Sequence, residues 1–222
     1  MRIPSVIVSL PFKHRSLLFL CLFLCSIGFY PLSGMADRVT QRFGDCATCT
    51  KKGVHIDTTV SEQYGDGNTP GNGYTSTPGT AEFLSFRPMW GTDHVLMRFD
   101  LSSIPSGTKV YSATLRFFVS SDSPSGSSGV TINIFPIKDP AGTGMWSESE
   151  ACFKQKRRGI PWTPSGDIRG ALDPSPIASI YFKQWQSITI SLQDYYDADI
   201  TNAVQGWVNT PSTNMGFAFQ DT

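Results

Sequence analysis

Three observations predict an all-β, antiparallel β-sandwich with one short helix near the C-terminus. Short apolar runs are punctuated by turn chemistry, the runs alternate with period two, and one isolated segment has helical spacing. Val54 to Val60, Ala81 to Arg87, His94 to Leu101, Val110 to Val119, Val130 to Ile137, Ser187 to Leu192 and Met215 to Phe219 read as strands. The Gly/Asn/Pro-rich stretch from Gly65 to Gly73, Pro105-Ser106-Gly107 and Ser120 to Gly129 supply turns and loops.

Alternation is clearest where Tyr111, Ala113, Leu115, Phe117 and Val119 face one way and Ser112, Thr114, Arg116 and Phe118 the other. One face of that strand meets a core and the other is partly wetted. Val95, Met97 and Phe99 repeat the pattern, as do Ile188, Ile190 and Leu192, so the three strands are expected to share one core. The exception is Asp199 to Val208, where Ile200, Ala203, Val204, Trp207 and Val208 form one apolar stripe of a short helix, with Asp199 or Thr201 as N-cap.

The first 36 residues read as an export signal. Arg2, Lys13, His14 and Arg15 make a basic leader, and the apolar run from Ser16 to Tyr30 is too short to span a bilayer comfortably. Pro31 breaks it, and Gly34-Met35-Ala36 offers small residues for cleavage. The expected organisation is therefore a signal peptide over 1–36, a flank over 37–52 and a β-sandwich over 53–222, secreted or at the cell surface and without a membrane span after cleavage.

Removing 36 of 222 residues leaves 186, enough for one domain with a sizeable core. The leader carries three of the 18 Lys and Arg and no acid, so the exported chain holds 15 bases against 18 acids, a charge of −3. That balance argues against nucleic acid or an anionic membrane as the main partner.

Export also sets the cysteine chemistry. Of Cys46, Cys49 and Cys152, the first two are spaced for a local loop disulfide, leaving Cys152 over.

The block from His94 to Val119, VLMRFDLSSIPSGTKVYSATLRFFV after the histidine, resembles the DNRLRE domain, also classed as carbohydrate-binding module family 96. Asp57-Thr58-Thr59-Val60 fits its opening strand. Trp146-Ser147-Glu148, Ala151-Cys152-Phe153 and Ile160-Pro161-Trp162 resemble its middle segments, and Ile200 to Val208 with Asn214 to Phe219 its late helix and following strand. The resemblance covers about residues 54 to 222. It implies a jelly-roll sandwich in a secreted or surface protein, with alginate-type glycans as one ligand class. This chain departs from the pattern at Cys152 and Lys154, and it ends at Thr222 where relatives add a strand. A sheet edge without that strand would invite self-association.

Catalytic motifs are absent: no GxSxG, HExxH or phosphate loop occurs, and beyond the leader the only histidines are His55 and His94, the latter expected at a surface or core edge. A binding protein is therefore expected rather than an enzyme. Sugar recognition needs flat aromatic faces and polar or charged groups for hydroxyls and carboxylates.

Lys154-Gln155-Lys156-Arg157-Arg158-Gly159 puts four cations in six residues, followed by Trp162 and Arg169. Guanidinium forks match carboxylates in bidentate fashion, so Lys154, Lys156, Arg157, Arg158 and Trp162 are the expected contacts to an acidic polysaccharide, with Trp90 as an outlying platform. Trp146 and Trp207 are expected in the core. Asp57, Asp66 and Asn68 are the candidate ligands of a structural calcium ion. The rival expectation is a structural or adhesive protein that assembles through an open sheet edge.

Overall fold

A computed structural model describes residues 2–11, 38–43, 55–61, 93–118, 130–182 and 195–221. The fold is all-β with antiparallel sheets and a single α-helix among the described residues. One sheet has four strands in the order β10 (Tyr195–Asp199), β5 (Ser112–Phe118), β1 (Arg2–Pro11) and β2 (Arg38–Phe43). The other has five, in the order β3 (His55–Ser61), β4 (Asp93–Phe99), β11 (Phe217–Asp221), β6 (Val130–Pro136) and β9 (Ala178–Phe182). A small hairpin, β7 (Gln155–Arg157) with β8 (Ile160–Pro161), stands apart.

The two sheets enclose one apolar layer. Val95, Met97 and Phe99 of β4, Ala113, Leu115 and Phe117 of β5, Ile132 and Ile134 of β6, and Phe217 and Phe219 of β11 meet there. The alternation expected in β4 and β5 thus points to a shared core, except that Tyr111 is exposed, with the Lys109 ammonium 5.1 Å from its ring centroid. The segments 81–87 and 187–192, expected as strands, lie outside the described residues.

Period-two geometry turns the even-numbered residues of β4 outward, yet His94 and Leu96 are fully buried. They sit in a second apolar cluster on the outer face of the five-stranded sheet, with Val60, Trp146, Phe153, Trp162, Ile168, Met215 and Ala218. The excursion between β6 and β9 builds that cluster by folding back over the sheet. His94 is therefore interior rather than at an edge, its ring 6.1 Å from that of Phe153.

Strand β11 lies between β4 and β6, so the last strand near the C-terminus is an inner strand. Gly216 admits it: its φ is 79°, and a Cβ there would stand 2.2 Å from the Met97 carbonyl oxygen.

Helix α1 (Thr201–Asn209) buries Val204, Trp207 and Val208 against the end of the sandwich. Its Gln205 side chain accepts the Val110 N–H at 2.8 Å and donates to the Thr108 carbonyl at 3.0 Å. The N-cap is Ile200, while Asp199 Oδ1 accepts both the N–H and the hydroxyl of Thr201. Among the described residues no helix is long and apolar enough to cross a membrane.

The leader was expected to stand apart from the fold. In the full chain ten of its residues form β1, hydrogen-bonded between β5 and β2. In the register of β1 with β5, Val6 lies opposite Leu115 and Val8 opposite Ala113.

Candidate functional site

The four-cation run folds as the β7–β8 hairpin on the covering excursion. Arg158 and Gly159 form its turn; Gly159 takes φ 75°, and its N–H donates to Gln155 Oε1 at 2.8 Å. Within β7 burial alternates, with Lys156 inward between the half-buried Gln155 and Arg157, while Lys154 precedes the strand and Arg158 sits in the turn, both exposed, and this divides the run in two.

Lys156 goes inward and is 1% exposed. Its ammonium donates to the Gly144 carbonyl at 2.5 Å and pairs with Asp139 Oδ2 at 3.0 Å. Asp139 also accepts the Gly144 N–H at 2.7 Å and the hydroxyls of Thr143 and Thr163. Burial raises the pKa of Asp139, but Lys156 and these donors outweigh it and hold the carboxyl below the ordinary range. A lysine so placed cannot reach a surface ligand. The expectation for Lys156 is corrected: it anchors the hairpin.

Trp162 is corrected in the same way. It is 1% exposed, packed in the second cluster, and its indole N–H donates to the Cys152 carbonyl at 2.8 Å. Trp146 and Trp207 are buried as expected, and the indole N–H of Trp146 donates to the Met215 carbonyl at 2.8 Å.

Lys154 and Arg158 remain outside. Both are exposed, and neither side chain has a hydrogen bond or ion pair to a described residue. Arg157 is half-buried and donates from Nη2 to the Thr143 carbonyl at 2.9 Å. Arg169, outside the expected contact set, is also exposed, with its guanidinium 4.9 Å from the Phe153 ring centroid and 3.5 Å from Asp167. The hydrogen bond from the Ile168 N–H to the Phe153 carbonyl brings it there, a contact that sequence spacing does not reveal. The exposed cations are therefore Lys154 and Arg158, which flank the buried Lys156 in the chain, and Arg169 at the ring of Phe153.

Trp90, Cys46, Cys49, Asp66 and Asn68 lie outside the described residues, as does the side chain of Asp57, whose backbone in β3 faces Met97. Cys152 is a buried thiol. Among the described residues no three His, Cys, Asp or Glu gather where they could hold a metal ion. Compared with protein-family models and with curated proteins, the chain matches none.

Proposed function

We propose that this chain is a non-catalytic carbohydrate-binding module of the DNRLRE type, secreted or at the cell surface, that recognises an acidic polysaccharide. The supporting observation is the β7–β8 hairpin, which with the residue before it holds Lys154 and Arg158 in solvent on a base fixed by the Lys156–Asp139 pair, and Arg169 lies against Phe153, the residue before Lys154. Fixing the base lowers the ordering cost of binding. Exposed cations recognise carboxylates weakly one at a time, about 1 kcal/mol or less each. A polymer that engages several together suits such a surface.

Affinity electrophoresis tests this. The chain is expected to be retarded in a gel containing polygalacturonate, to run unretarded with dextran, and to lose the retardation at about 1 M salt, where the Debye length is about 3 Å. Equal retardation by dextran would contradict the reading, as would new reducing ends or an unsaturated product.

A second reading, assembly through an open sheet edge, is favoured by the place of β1. Were the leader cleaved, β5 would lose its partner on one side and present unpaired backbone groups. The exported form would then assemble with rising concentration, and a peptide of residues 2–11 would block assembly. A monomer at all concentrations would exclude this reading.

A further inference from the structure

A cavity of about 80 Å³ opens where the end of β4 and the turn after it meet the last turn of α1. Its polar lining includes Arg98 and Asp100, and its apolar walls include Leu101, Ile104, Trp207 and Val208. Arg98 donates its Nε to the Asn214 carbonyl at 3.0 Å and lies within electrostatic range of Asp100, while its two Nη groups make no hydrogen bond to a described residue. The indole N–H of Trp207 likewise has no acceptor among them. Asp100 accepts the Ser102 N–H on Oδ1 at 2.9 Å and also a hydrogen bond from the Ser102 side chain, which leaves further lone pairs of the carboxylate toward the cavity.

The lining thus offers strong donors, one acceptor and an apolar wall in a space for a few heavy atoms, since a single water needs about 10–15 Å³. A whole pyranose ring does not fit. A carboxylate fits in size but meets the Asp100 charge and the negative end of α1. Asp100 is held ionised, its pKa lowered chiefly by the Ser102 N–H. A cation meets Arg98. A neutral group with one acceptor, one donor and a methyl uses every part: its carbonyl oxygen takes the Arg98 N–H groups, its N–H reaches Asp100, and its methyl packs on the apolar wall.

We propose that the cavity bounded by Arg98, Asp100 and Trp207 binds the acetamido group of an N-acetylated amino sugar. This site stands apart from the hairpin cations and holds whether or not they bind an acidic polymer. Four probes test it on the ¹⁵N-labelled full chain, followed by the Trp207 indole N–H and Arg98 Nε–H resonances. N-acetylglucosamine is expected to move both signals saturably and glucose to move neither. Acetate is expected to bind about tenfold or more weakly than N-acetylglucosamine, a gap that Asp100→Asn narrows because the neutral side chain no longer repels a carboxylate. Glucose or acetate matching N-acetylglucosamine, or no shift with any probe, would overturn the proposal. Nε-acetyl-lysine binding as tightly as the sugar would overturn the amino-sugar assignment in favour of an acetylated peptide.

Discussion

Lys156 and Arg158 are two residues apart and do opposite work. Both belong to one cationic run, and composition alone gives them the same role; Lys156 lies inside the strand on its buried side, whereas Arg158 has passed into the exposed turn. The chain positions of Asp139 and Gly144, which receive the Lys156 ammonium, are 17 and 12 residues away, so the sequence held the charge but not its partner. Replacing Asp139 by Asn leaves Lys156 buried without a counter-charge, with an expected loss of about 3 kcal/mol or more in denaturant unfolding. The pair also sets a pH dependence. The folded pKa of Asp139 lies below its unfolded value of about 3.9, so its contribution is fully present above that value and is lost as pH falls through the folded pKa. Stability of the native chain should drop below about pH 4, and Asp139→Asn should flatten that part of the drop.

At the scale of elements, strands with clear alternation and the helix were legible in the sequence, and short or unusually placed ones were not. β4, β5 and α1 declared themselves because their apolar periodicity reports one buried face. The second buried face of β4 did not, since it depends on the excursion from 137 to 177 folding over it. β9 and β10 mix polar residues into runs of five, and the Val-Ile-Val pattern of β1, which suits a strand, is masked by the basic and apolar leader chemistry around it. Two glycines allow a paired test of element packing. Gly216→Ala places a methyl on the Met97 carbonyl in a positive-φ backbone and should cost about 3 kcal/mol or more. Gly206→Ala meets nothing within 4 Å on the surface of α1 and should raise stability by about 0.5–1 kcal/mol. Thermal melts of the two variants should move in opposite directions.

For the molecule as a whole, the sandwich, its covering excursion and the hairpin form a hierarchy of burial. The core between the sheets fixes β4, β4 carries the second cluster, and the second cluster carries the hairpin and its exposed cations. Net charge gives no hint of this surface, because −3 over residues 37–222 conceals a local excess of bases. Glycan binding at this surface therefore requires contact residues distinct from the buried anchor. The direct test is the double change Lys154→Ala with Arg158→Ala, followed by affinity electrophoresis on polygalacturonate and by melting temperature. Retardation should disappear while the melting temperature stays within a degree or two, as expected for exposed side chains without partners among the described residues. Undiminished retardation of this variant, with the fold intact, would contradict the assignment of the hairpin as the glycan-facing surface.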